Sequence, residues 1–177
     1  FTVDDTLASG IFVTGSSHIT ISNNHVTRAG KPTPGYVRAG ISLNGTTDSL
    51  VSGNLADYNT DAGIQMDYGA TRNRIAGNIT AHNARRYARA SPGIDVRSGG
   101  NTVEANISHD NEDSGIQIYA GAMNNLIRNN LCYDNGDHGI DVLRSGGQRI
   151  IGNSVYRNKA AGINVEGGST GTTLANN

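Results

Sequence analysis

The sequence has a single cysteine, Cys132, in 177 residues, which excludes an intrachain disulfide framework and a metal site built on several thiolates. Cys132 falls in a strand-like segment, where a lone thiol serves as a small core residue. Long apolar runs are missing as well: nothing approaches the roughly 18 consecutive apolar residues that a membrane-spanning helix needs. The formal net charge is −1, so there is no overall basic field to grip nucleic acid. Lysine and glutamate are scarce, at 2 and 3 residues against 12 arginines and 12 aspartates. Arginine and aspartate heads make defined hydrogen bonds, which suits turns, ligand contacts and a solvated β surface alike. Phe1 to Asp5 show no charged segment leading into an apolar stretch, so any secretory signal is expected to have been removed or never to have existed. No Gly-x-Ser-x-Gly elbow and no phosphate-binding glycine loop occurs. His82 and His109 lack the further nitrogen or sulfur ligands of a zinc site.

What the chain has in plenty is glycine, 24 residues, and asparagine, and both recur in register. A Gly-Ile pair stands at Gly10, Gly40, Gly63, Gly93, Gly115, Gly139 and Gly162, at intervals of 30, 23, 30, 22, 24 and 23 residues. A column of asparagines runs in step at Asn24, Asn54, Asn78, Asn106, Asn130, Asn153 and Asn176, each preceded by an apolar residue or pair. Another lies five residues on, at Asn59, Asn83, Asn111, Asn135 and Asn158. A unit of this length holds two or three short strands with tight bends and cannot bury its apolar side alone, so units must stack. Stacking brings equivalent residues about 4.8 Å apart. Asparagine columns then pass amide hydrogen bonds from coil to coil, and isoleucine, leucine and valine columns form a dry interior. The expectation is one all-β domain: a right-handed parallel β-helix of about seven coils with two loop insertions. In Gly-Ile-x-Val, Ile and Val point inward and x faces solvent. The lone helical candidate is 84–90.

Segments such as Asn130 to Val142 resemble the parallel β-helix repeat of the pectin-lyase-like superfamily, which includes pectate lyases and alginate lyases and epimerases. The resemblance covers nearly the whole chain and is specific for fold rather than activity. It implies an extracellular or cell-surface protein that acts on an acidic polysaccharide by lyase or C5-epimerase chemistry. The alternative is a non-catalytic, adhesin-like or structural solenoid that binds glycan or protein. Both ends fall inside the repeat, so flanking sequence or another chain is expected to cap them.

Candidate site residues follow. Two insertions interrupt the repeat at the same turn, roughly 25–39 and 84–92, carrying Arg28, Lys31 and Arg38, and Arg85, Arg86 and Arg89. Together they would wall a groove with a basic rim suited to sugar carboxylates; otherwise they are ordinary solvated loops. The outward position after Gly-Ile reads Phe12, Ser42, Gln65, Asp95, Gln117, Asp141 and Asn164, and Asp95, Arg97 and Gln117 are expected to hold substrate. Asp113, Asp137 and Asp141 fall on consecutive coils, where carboxylates repel unless a proton or a cation is shared. Oxygen ligands at that density suit Ca²⁺. The bend resembles part of the calcium site of one pectate-lyase group, with His138 where that group has a second aspartate. The base that removes the C5 proton would be Lys159, His138 or Tyr133. Each of these also reads as a plain surface residue.

Overall fold

The structure is a computed structural model that describes residues 1–30, 38–84 and 91–177. It contains strands and bends, with no helix among the described residues, and so none long and apolar enough to cross a membrane. Three parallel sheets of seven strands each wind about one axis. The first comprises the Gly-Ile segments, from Ile11–Thr14 to Ile163–Glu166; the second runs from Thr20–Ser22 to Thr173–Ala175, and the third from Thr2–Asp4 to Ser154–Tyr156. Every strand pairs with the equivalent strand of the next coil, so Ile41, Ile64, Ile94, Ile116 and Ile140 become axial neighbours. All five are fully buried. Val51, Ile75, Val103, Ile127 and Ile150 line the interior from the second sheet. The third contributes smaller groups, among them Val26, Ala56, Thr80, Ser108 and Cys132. Burial pushes the Cys132 thiol up to about 12, as expected of a packing residue.

The corners explain the polar columns. At one corner the Oδ1 of Asn106 accepts both the backbone N–H and the Nδ2–H of Asn78, at 2.9 and 3.0 Å. The Asn78 Nδ2 also donates to the carbonyl of Val51 in the previous coil, at 3.0 Å. This pattern runs unbroken from Asn24 to Asn153. It ends on Asn177, which accepts from Asn153, and not on Asn176. Asn176 takes the left-handed turn position, φ 55°, that Asn23 and Gly53 take in earlier coils.

The second amide column, Asn59 to Asn158, packs its Nδ2 atoms against the Gly-Ile glycines. A Cβ at Gly40, Gly63, Gly93, Gly115 or Gly139 would stand 2.6 to 2.9 Å from the amide nitrogen of Asn59, Asn83, Asn111, Asn135 or Asn158. Glycine and asparagine therefore recur together because each amide occupies the space a side chain would fill. A further ladder passes through Ser49, Asn73, Asn101, Asn125 and Gln148. Where Gln148 takes the asparagine position, the Nδ2 of Asn125 is buried without a partner.

The first insertion is shorter than expected, because His25–Thr27 is a strand of the third sheet. Ala84, proposed to open a helix, sits in a left-handed turn at φ 58°. The remainder of that helical candidate, residues 31–37 of the first insertion and 85–90 of the second lie outside the described residues.

Candidate functional site

The outward column of the first sheet stacks in register as expected. Its exposure is not as expected. Phe12 is 55% exposed, whereas Ser42, Asp95 and Asp141 are 3%, 0% and 3% exposed. Amides close over carboxylates from coil to coil: Gln65 Nε2 donates to Asp95 Oδ2 at 3.0 Å, and Gln117 Nε2 to Asp141 Oδ2 at 3.1 Å. Asn164 Nδ2 donates to Asp141 Oδ1 at 3.0 Å. Gln117 and Asp141 thus spend hydrogen-bonding capacity on each other.

Asp95 is different. Arg97 Nε donates to its Oδ2 at 2.6 Å, but Oδ1 is buried with no hydrogen-bond partner. Burial pushes the carboxyl above its usual range, with Arg97 and Gln65 pulling the other way. Burial also penalises the Arg97 charge, yet Asp95, Asp67 and Asp61 together hold its guanidinium above the ordinary value. Buried polar groups in native proteins are normally bonded, which sets Asp95 Oδ1 apart from both oxygens of Asp141.

Beside Asp95 lies a cleft of about 560 Å³ across the first four coils. Its floor is polar, with Ser42, Asn44 and Gln65, and its walls carry Arg38, Arg97, Asp61 and Asp67. Asp61 accepts a hydrogen bond from the Ser91 hydroxyl. Two aromatic rings, Phe12 and Tyr68, border the cleft, and Tyr68 is 78% exposed. Arg38 lines this cleft, its backbone N–H donating to Thr60 Oγ1 at 3.2 Å. Among the described residues of the cleft, two aspartates face two arginines. Arg85, Arg86 and Arg89 lie outside the described residues.

The residues assigned to catalysis differ in what surrounds them. Lys159 is exposed at a shallow hollow with Glu112, Asp134 and Arg157. His138 accepts the Ala161 backbone N–H on Nδ1 at 3.0 Å, and its Nε2 is 3.5 Å from Asp137. Its Nδ1 lone pair is therefore engaged. Tyr133 is stacked between His109 and Tyr156, with ring centroids 4.8 and 5.1 Å away. Burial, then Tyr156, Asp110 and Asp134, push its hydroxyl up, against the needs of a base. His109 meets His82 edge-on, and His82 in turn stacks on Tyr58. Where rings stack, their faces cover one another instead of offering a platform.

Asp113 feels its acidic neighbours: burial, then Asp137, and more weakly Asp141, push it up to about 6. Among the described residues, however, no group of three or more His, Cys, Asp or Glu side chains could hold a metal ion. Each Asp141 oxygen accepts one amide proton.

The sequence reading missed Asp61, Asp67 and Tyr68 as site residues. Asp67 ends the third Gly-Ile strand, Tyr68 opens the turn after it, and Asp61 precedes it, two residues before Gly63. The available signal was their position beside an outward column already suspected of meeting ligand.

Fold and cleft together define a parallel β-helix with an open polar groove on its Gly-Ile face. The family described as right handed beta helix region matches residues 9–177, and the chain belongs to it. No curated protein matches the sequence. Among solved structures the chain is similar to a double mutant of the periplasmic alginate epimerase AlgG, with a TM-score of 0.84 and 19% identity over 98% of this chain and 43% of that one. AlgG itself gives a TM-score of 0.69 and 18% identity, over 98% of this chain and 44% of that one. Dettilon tailspike protein gives a TM-score of 0.54 and 17% identity, over 90% of this chain and 42% of that one. At such identities the likeness is one of fold, and this chain spans less than half the length of each.

Proposed function

We propose that this β-helix binds polysaccharide along its Gly-Ile face, with a glycan segment in the cleft over the first four coils, outside the cell or in the periplasm. The observation that carries the reading is the pair of exposed rings, Phe12 and Tyr68, bordering a floor of hydroxyl and amide groups. Aromatic faces take the C–H side of a sugar ring while planar polar groups bond its hydroxyls. The test is affinity electrophoresis of the chain in gels containing a panel of polysaccharides. At least one should retard it, and Phe12→Ala and Tyr68→Ala should each weaken binding about fivefold to tenfold, the worth of a lost aromatic contact. Both rings are largely exposed, so the fold should persist. Retardation by no polysaccharide, or by one to which both variants bind as well as the parent, would sink the reading.

A second reading, lyase or C5-epimerase turnover of an acidic polysaccharide, is supported by the likeness to AlgG over nearly all of this chain. It needs a base and a neutralising cation at one place, with Lys159 or His138 as the base and an arginine as the cation. Incubation with polyuronates, with and without added Ca²⁺, tests it. Turnover would appear as the ultraviolet chromophore of an unsaturated uronate or as inverted C5 resonances, lost in Lys159→Ala or His138→Gln.

A further inference from the structure

Resting on the glycan-binding reading, we propose that the cleft selects a neutral, hydroxyl-rich glycan segment over a polyuronate, with one sugar hydroxyl bonded to Asp95 Oδ1. The first support is charge. Arg97 would be the natural anchor for a sugar carboxylate, but it is already bonded to Asp95 at 2.6 Å and acted on by Asp67 and Asp61. A uronate entering there would meet Asp61 and Asp67 on the walls and an Arg97 held by Asp95, with Arg38 the other guanidinium of the cleft. The fold therefore places repulsion where a polyuronate would need an unpaired cation.

The second support is the orphan oxygen. Asp95 is fully buried behind Gln65 and Arg97, two long side chains that line the cleft and hold its Oδ2. A sugar hydroxyl bonded to Oδ1 requires one of these two side chains to rotate aside. The missing partner must suit a carboxyl whose proton is shifted by burial. A hydroxyl both donates and accepts, so it serves Asp95 whether ionised or protonated; a ligand carboxylate can only accept. Uncharged polar ligands also avoid the cost of bringing a second anion into a partly desolvated site.

The experiment is isothermal titration calorimetry of the whole chain with neutral oligosaccharides (gluco-, manno- and xylo-oligomers) and with oligomers of mannuronate, guluronate and galacturonate, at low and moderate salt. The expected result is binding of at least one neutral oligomer, insensitive to salt, with every uronate oligomer at least tenfold weaker. Asp95→Asn should weaken the neutral ligand about tenfold, as for one hydrogen bond to a charged group. Should that variant fail to fold, Asp67→Asn carries the test: lifting one negative charge should raise uronate affinity at least threefold. Salt-sensitive uronate binding that matches or exceeds the neutral ligands overturns the selectivity. So does neutral binding untouched by Asp95→Asn, or uronate binding untouched by Asp67→Asn. If no oligomer of either class binds, the glycan reading itself falls.

Discussion

Asn106 shows how much one amide does in this chain. Its Oδ1 accepts two donors from Asn78, and its Nδ2 reaches Asn130 at 3.0 Å and the Ile75 carbonyl at 2.9 Å. Asn106→Leu would leave at least two buried groups unpaired, at roughly 1–3 kcal/mol each. A loss of about 3 kcal/mol or more in urea unfolding is expected, and a loss below about 1 would show that water replaces the amide. Asp113 makes the pH prediction. Its carboxyl is raised to about 6 from 3.8, by burial first and Asp137 second, so the folded state favours the protonated form. The stability this gives is complete below the unfolded value and is lost as the pH rises through about 6. After discounting for partial exposure the effect is roughly 1 kcal/mol, or about 2–4 °C in melting temperature. Asp113→Asn should flatten that part of the pH profile and melt above the parent at neutral pH; parallel profiles would refute the assignment.

At the scale of the strand and its corner, the glycine preceding each isoleucine is a contact surface. In Gly93→Ala the new methyl would strike the Ser108 hydroxyl and stand 2.6 Å from Asn111 Nδ2. About 2 kcal/mol or more of destabilisation is expected from such overpacking. Gly162→Ala should cost clearly less, because the nearest obstacle there is a Val155 methyl at 3.0 Å. Thermal melts of the two variants check the order. This corner was legible in the sequence because the glycine, isoleucine and asparagine columns keep the same letter in coil after coil. The ladder through Asn73 and Asn101 was not, since Ser49 and Gln148 change its letter at either end. The Asn176 misplacement has a related cause: two asparagines stand side by side at 176–177, and only the backbone tells turn from ladder. Exposure of the outward column was misread for a further reason. Alternation tells which way a side chain points, and not that Gln65 and Gln117 fold over their acidic neighbours.

For the molecule as a whole, parallel pairing between equivalent residues makes the coil the unit of length. Removing residues 101–124 would join Gly100, in the left-handed turn position, to Asn125, which follows Asn124 in that same position. Every ladder stays in register, and stability in such arrays is close to a sum over units and their interfaces. The shortened chain is expected to fold with unchanged β circular dichroism and a lower urea midpoint. Removal of half a coil should abolish folding, because it turns the apolar columns away from the interior. A folded half-coil deletion would contradict the stacking. The cleft was legible only in outline: two insertions at one turn suggested a groove, but its charge balance depends on Asp61 and Asp67, whose meeting with Arg97 no linear spacing announces.

The amide ladders run from coil to coil along the solenoid axis, and so do the strand-to-strand hydrogen bonds. A load applied at Phe1 and Asn177 therefore meets these bonds one coil at a time instead of straining all of them together. The protein should yield to pulling as a rope uncoils from its end, in a train of small, evenly spaced force drops, each releasing one turn of chain.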